Sequence, residues 1–305
     1  MANTKEIQVR MKSIQETMKI TNAMYLISSS QMRRAKQILA ETTPYFYAVQ
    51  ATIGRILRHV PDVGHLYFDK RDDVPAADKK IGYIVVTADK GLAGGYNHDV
   101  FKLMEEKLKQ PGVKKLFVLG VLGRVYFSKK PVEMDGSFRY TVQKPTIDRS
   151  RMIVGKILEQ YRNHELDEVH IVFTEMVNAV QEEVRCEQLL PLKQVDFRQT
   201  TDPALQKVLA NVPRENVILE PSGEVLLERI VPNYLIGLVY GCLVESYACE
   251  HNARMMAMKS STDNAASMLK KLSLEYNRAR QAGITQEITE VAAGAKAQKG
   301  SEEDE

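Results

Sequence analysis

The chain has 305 residues, 27% of them charged and 44% hydrophobic, with a formal net charge of +3. That balance describes a folded, globular protein and excludes an intrinsically disordered one. No unbroken apolar run reaches the roughly 18–20 residues of a membrane span, so membrane association is expected to go through a partner rather than by direct insertion. Three cysteines, Cys186, Cys242 and Cys249, make an odd count without a CxxC pair. They point to packing residues rather than a disulfide framework or a zinc site. The first residues carry no secretory apolar segment, and Glu6 and Glu16 argue against a mitochondrial presequence.

From Ile7 the apolar positions step by four and three: Ile7, Met11, Ile14, Met18, Thr21, Tyr25, Ser28, Met32, Ala35 and Leu39. Only Thr21 and Ser28 interrupt them. This is the 3.5-residue period of a coiled-coil seam, and it predicts a helix from Asn3 or Thr4 to His59 that needs a partner helix. Pro44 falls inside it. The pattern continues in phase through Thr42, Phe46, Val49, Ile53, Ile56 and Val60, so the proline predicts a kink rather than a stop. Residues 1–60 hold nine Lys/Arg against three Glu, a net +6. A helix of that charge suits an acidic partner surface, nucleic acid or anionic lipid.

A Pro-, Gly- and Asp-rich loop is expected over 61–79, and then the pattern changes. Strands are predicted at Ile81–Thr87, Lys115–Val121 and Glu168–Thr174, with an edge strand over Val184–Leu192 closed by Pro191. Helices are predicted at about 97–109, near Gly123–Lys129 and over 148–164. Alternating strands and helices predict a mainly parallel, layered, Rossmann-like α/β domain. Residues 196–224, with Pro203, Pro213, Pro221 and Gly223, read as a linker. After Pro232 no proline occurs, and a helix of nearly 60 residues is expected to run to about Glu290. Its seam runs Ala248, His251, Met255, Met258, Thr262, Ala265, Leu269, Leu272, Tyr276, Ala279, Gly283. The expected divisions are an N-terminal coiled-coil helix over 1–60, an α/β domain with linkers over 61–224, a C-terminal coiled-coil helix over 225–292, and an acidic flexible tail over 293–305.

The motifs weigh against chemistry. Gly91-x-x-Gly94-Gly95 lies between a strand and a helix, yet it is neither GxGxxG nor followed by GK[ST], so neither nucleotide fingerprint is met. A tight turn that needs glycine backbone is the better reading. The six histidines show no HxxxH or HExxH spacing. No GxSxG is present, and no carboxylate pair stands out. No catalytic, cofactor or metal residues are expected. The thirteen methionines, eight of them in the two terminal helices, suit adaptable packing.

Three blocks carry a resemblance. Lys12-Ser-Ile-Gln-Glu-Thr-Met-Lys-Ile-Thr-Asn-Ala-Met24 with Ser30-Gln-Met-Arg-Arg34 is one. Thr87-Ala-Asp-Lys-Gly-Leu-Ala-Gly-Gly-Tyr-Asn97 is the second. The third is Arg254-Met-Met-Ala-Met-Lys-Ser-Ser-Thr-Asp-Asn264 together with Tyr276-Asn-Arg-Ala-Arg-Gln-Ala-Gly-Ile-Thr-Gln-Glu-Ile-Thr-Glu290. In this order they resemble the γ subunit of F-type ATP synthases, of bacterial type, since the inserted cysteine pair of plant chloroplast members is absent. Residues 110–240 match in pattern rather than in letters. The resemblance implies an antiparallel coiled coil of the two termini inside a ring of α and β subunits. It places the α/β domain against the ε subunit and the membrane rotor ring of c subunits. It implies a non-catalytic rotary stalk at the cytoplasmic face of the cell membrane, peripheral to it, binding no nucleic acid and no cofactor. Arg254, Gln281 and Thr285, with Arg280 beside them, would face β loops. Met24, Arg33, Arg34 and Lys36 would lie near acidic lever segments of β, and the glycine loop would be structural or ε-facing. Two readings from other classes stand beside it: a nucleotide-binding enzyme with helical arms, and a coiled-coil scaffold or nucleic-acid clamp whose binding would be salt-sensitive.

Overall fold

The computed structural model describes residues 4–60, 64–178, 181–198 and 219–302, with side chains of the last helix described to residue 294. The elements in chain order are α1 (Thr4–His59), a 3₁₀ turn (Leu66–Phe68), β1 (Lys80–Val86), α2 (Tyr96–Leu108), β2 (Val113–Leu119) and α3 (Val121–Phe127). They continue with β3 (Glu133–Met134), α4 (Ile147–Arg162), β4 (Glu168–Met176), β5 (Glu182–Leu190), α5 (Val195–Arg198) and α6 (Gly223–Glu302). The chain divides into two compact units. One comprises residues 1–27 with 255–305, the other residues 28–254.

The first unit is a pair of helix segments held by the seam. Along α1 it buries or half-buries Ile7, Met11, Ile14, Met18, Tyr25 and the hydroxyl position Thr21, while the positions between them are mostly exposed. On α6 the same holds for Met255, Met258, Thr262, Ala265, Leu269, Leu272, Tyr276 and Ala279. The polar break at Thr21 has a partner: its hydroxyl meets that of Thr262 at 2.7 Å. A polar pair inside an apolar seam favours one register, because the two hydroxyls, each also within reach of a carbonyl of its own helix (Met18 and Met258), meet only there. Gly283, expected at the seam, is exposed, as is every described residue from 280 to 294.

The second unit is a five-stranded sheet in the order β3-β2-β1-β4-β5, with only β5 antiparallel to its neighbour. The two-residue alternation of strands sorts its side chains. Ile81, Tyr83, Val85, Leu116, Val118 and Val172 face Val100 and Met104 of α2 and Phe127 of α3. Ile84, Val86, Phe117, Leu119, Ile171 and Phe173 face Ile153 and Ile157 of α4, Ile53 and Leu57 of α1, and Leu227, Val231, Leu235 and Val239 of α6. Within this unit α1 and α6 run antiparallel. Tyr247 donates to Gln31 at 3.3 Å, Phe46 lies over Gly237, and Val60 lies over Gly223. A Cβ on Gly237 would sit 1.9 Å from the Phe46 ring. Glycine is what lets the two backbones come this close.

The β5 edge is as expected, and the other strand and helix positions agree with the sequence reading to within two residues. Four differences have physical causes. The strand expected over Lys115–Val121 ends two residues earlier, and Val121 starts α3, because Gly120 takes φ +92° and turns the chain. The two-residue β3 was not expected, since so short an edge strand leaves no periodicity to read. The last helix begins at Gly223, where the Ser222 hydroxyl accepts from the Val225 amide, and passes through Pro232. Burial of Leu227 and Val231 against the sheet outweighs the proline's preference to break it. It also runs past Glu290 to Glu302, through an alanine-rich stretch that favours helix. Pro44 likewise lies within an unbroken α1. Most of the expected linker and residues 303–305 of the tail lie outside the described residues. One 18-residue window of α6 is apolar enough to cross a membrane by length and composition, unlike the sequence expectation. Its apolar side chains have a nearer use, because Leu227, Val231, Leu235, Val239 and Leu243 fill the core.

Beneath the sheet, Arg71 and Asp167 form a buried ion pair at 2.6 Å. The guanidinium also donates to the carbonyls of Leu166 at 2.5 Å and Tyr161 at 2.9 Å, and it lies over the Tyr161 ring. Burial alone would raise the Asp167 pKa, but the Lys80 amide and Arg71 hold it below the ordinary value. Arg71→Ala leaves that carboxylate buried and uncompensated. It is expected to cost about 3 kcal/mol in a urea unfolding measurement. Gly237→Leu is expected to cost ~2 kcal/mol or more through overpacking against Phe46.

Candidate functional site

The strand order places β2 on one side of β1 and β4 on the other. The crevice at the carboxyl ends of β1 and β4 is therefore the topological switch point, where open α/β sheets take ligands. Here the chain's own α6 packs beside that crevice. Directly after β1, the Thr87 hydroxyl donates to the Leu119 carbonyl at 2.6 Å and accepts from the Gly123 amide at 3.1 Å. The Ala88 amide donates to the Asn97 side chain at 2.8 Å. Asp89 accepts from the Val121 and Val142 amides at 3.0 and 3.1 Å, and from the Thr141 hydroxyl. The N-terminus of α3 is thus capped from within. Ala88, Ala93 and Tyr96 bury against Cys249 of α6, with Leu122, Met176 and Ala253 at the margin. At the end of β4 the Thr174 amide donates to the Ser246 hydroxyl at 3.2 Å, and the Met176 amide to Glu245 at 3.4 Å.

Arg254 closes the crevice. It is 7% exposed. Its guanidinium donates to the carbonyls of Lys90 and Gly91, each at 3.1 Å, and pairs with Glu250 one turn earlier at 2.7 Å. Burial raises the Glu250 pKa, and Arg254 opposes that rise. Burial, with the Arg254 charge added, pushes His251 down to about 4, so this ring is neutral at physiological pH. It lies edge-on to Tyr247, its centroid 4.5 Å away. Beyond the closure the loop tip is open: Lys90 is exposed, and Leu92 is 64% exposed at φ +66°. A positive φ is uncommon for a residue of this bulk.

The residues expected to meet partners fall into separate groups. In the second unit Arg33, Arg34 and Lys36 are together on α1 and exposed. In the first unit Met24 is half-buried. Arg280, Gln281 and Thr285, also in the first unit, share about one turn of α6 and are exposed, with the Thr285 hydroxyl on the Gln281 carbonyl at 2.9 Å. Starting among them, Ile284, Ile288 and Val291 form an exposed apolar stripe. Arg254 belongs with none of these groups, being committed to the glycine loop. Sequence reasoning missed Glu250. The Glu250–Arg254 spacing of four on a helix was the available signal.

The ATP synthase family model matches residues 3–298. The chain belongs to the ATP synthase γ family. It is 43% identical over 296 residues to the ATP synthase gamma chain of Ruminiclostridium cellulolyticum, covering 97% of this chain and 98% of that one. It is 36% identical to the sodium-ion-specific gamma chain of Acetobacterium woodii, covering 97% and 98%. In fold it is similar to a chain of the Euglena gracilis mitochondrial ATP synthase rotor (TM-score 0.61, 14% identity, 92% of this chain and 98% of that one). A chain of the Tetrahymena thermophila mitochondrial ATP synthase central stalk and c-ring is also similar (TM-score 0.56, 20% identity, 79% and 98%). As a γ-family member the chain is a subunit of the membrane-associated ATP synthase.

Glu245 supplies a pH test of this region. Burial first, then Glu175 and Glu187, raise its carboxyl from the ordinary 4.5 to about 7, although the Met176 amide and Arg185 oppose the shift. Between those values the folded protein holds a proton that the unfolded chain has released, so stability falls as pH rises from 4.5 to 7. Glu245→Gln removes that penalty. Its melting temperature is expected to match the parent near pH 4.5 and to exceed it by a few degrees at pH 8, as measured by calorimetry.

Proposed function

We propose that the chain is the central rotary stalk of an F-type ATP synthase. It couples ion flow across the membrane to ATP synthesis or hydrolysis by turning inside the catalytic ring of α and β subunits. It is not itself a catalyst. One observation carries this reading: in a member of the γ family, the loop after β1 and the end of β4 are bonded to the chain's own α6, where such folds bind nucleotide. That also weighs against the enzyme with helical arms. The partners are the α, β and ε subunits and the c ring, and the place is the cytoplasmic face of the cell membrane, peripheral to it. The exposed cations Arg33, Arg34 and Lys36, together with Met24, suit acidic segments of β. Arg280, Gln281 and Thr285 suit β loops. The apolar stripe of Ile284, Ile288 and Val291 suits an apolar sleeve around the tip. Torque arises because differently shaped faces of the stalk favour different states of each β subunit in turn.

Co-assembly tests the reading. Mixed with α and β subunits and passed over a sizing column, the chain is expected to enter a complex at one copy per three αβ pairs and to raise its ATPase activity. A chain that stays alone, or hydrolyses ATP alone, contradicts it. Truncation after Thr285 removes the apolar stripe from Ile288 onward and leaves the seam through Ala279 intact. It is expected to lower torque, read by the drag a rotating probe can overcome, while the complex still assembles.

A further inference from the structure

We infer that Arg254 is a positioning residue of the stalk: with Glu250 it latches the tip of the Lys90–Gly91 loop onto α6, so that a load arriving at the loop enters the helix directly. The inference rests on the rotary-stalk reading for its consequence, and on geometry alone for the latch.

The loop is anchored differently at its base and at its tip. At the base Ala88, Ala93 and Tyr96 are buried against Cys249, and the Ala88 amide is held by Asn97. At the tip the carbonyls of Lys90 and Gly91 receive the Arg254 guanidinium, which itself is held by Glu250. Nη2 serves both carbonyls and Glu250, and Nε reaches the Gly91 carbonyl as well, at 3.4 Å; a planar group held through two of its nitrogens keeps this orientation, which a lysine on its flexible stem does not. The latch is a short bridge: Glu250 and Arg254 share one face of α6, so the guanidinium is aimed before the loop arrives.

The tie is separate from the main core of the unit, where Leu227 to Leu243 of α6 meet the sheet. The tip is also where the chain presents Lys90 and Leu92 outward, with Leu92 and Gly94 in the left-handed region. A loop of this shape yields when pushed unless its carbonyls are tied down. Arg254 is also the last residue of the second unit. The tie therefore lies where α6 leaves the sheet.

The test compares Arg254→Ala, Arg254→Lys and Glu250→Gln with the unaltered chain in two measurements. The first is hydrogen exchange of the isolated full chain. In Arg254→Ala the amides of Ala88 and Tyr96, bonded at the two ends of the loop, are expected to exchange about tenfold faster or more, as befits loss of charge-assisted bonds, with β1 and β2 unchanged. Arg254→Lys should follow Ala closely, and Glu250→Gln should fall between. The second is ATP-driven ion pumping per ATP hydrolysed in the assembled membrane complex, expected to drop in the order of loop loosening while hydrolysis continues. Unchanged exchange in Arg254→Ala overturns the latch, and lost coupling with unchanged exchange would assign Arg254 to a partner instead. Loosened loops with full coupling overturn the mechanical role. Failure of the unaltered chain to assemble would count against the rotary stalk alone, because the exchange result stands without it.

Discussion

Neither terminal helix can bury its own apolar stripe, and that single constraint organises the molecule. An isolated α1 would leave Ile7, Met11, Ile14 and Met18 in water, and an isolated α6 would do the same with Met258, Leu269 and Leu272. Pairing removes both costs at once, since area taken from water is the main favourable term available to a surface with so few hydrogen-bond partners. The 3.5-residue spacing decides that the partner is another helix and not a sheet. Thr21 and Thr262 then favour one register, their hydroxyls 2.7 Å apart within hydrocarbon surroundings.

In the second unit the same two helices meet a different demand. There α1 and α6 cover one face of the sheet, and Gly237 under Phe46 sets how near they lie. The sheet has the strand order of a ligand-binding fold, but its switch-point crevice receives Ser246, Cys249 and Arg254 of α6 where such folds hold a small molecule. The binding geometry of the fold has become an attachment for a helix. This is a physical reason why a Rossmann-like domain can belong to a mechanical part, and why its glycine loop needs no phosphate.

Much of this was legible in the residues. The seam positions read from spacing are the buried or half-buried ones from Ile7 to Leu39, and on α6 from Ala248 to Ala279. β-branched runs marked β1 and β4, because a strand covered on both faces has little room for anything else. The failures share a cause. Pro232 was read as a boundary and β3 was not seen, because tertiary packing decides both and local preference decides neither. Nor did the sequence show the bonds from Arg254 to Lys90 and Gly91, which span more than 160 residues. No spacing rule reaches that far. Glu250 was within reach through its four-residue offset.

A rotary stalk requires the two terminal segments, paired through Thr21 and Thr262, to turn as one body. A disulfide tests it most directly. Thr21→Cys with Thr262→Cys replaces the two facing hydroxyls by thiols close enough to join. In the assembled complex, oxidation is expected to cross-link the pair and leave ATP turnover and rotation as they were under reducing conditions. Loss of turnover on oxidation, restored by a reductant, would show that the helices must move against each other, and would contradict the account.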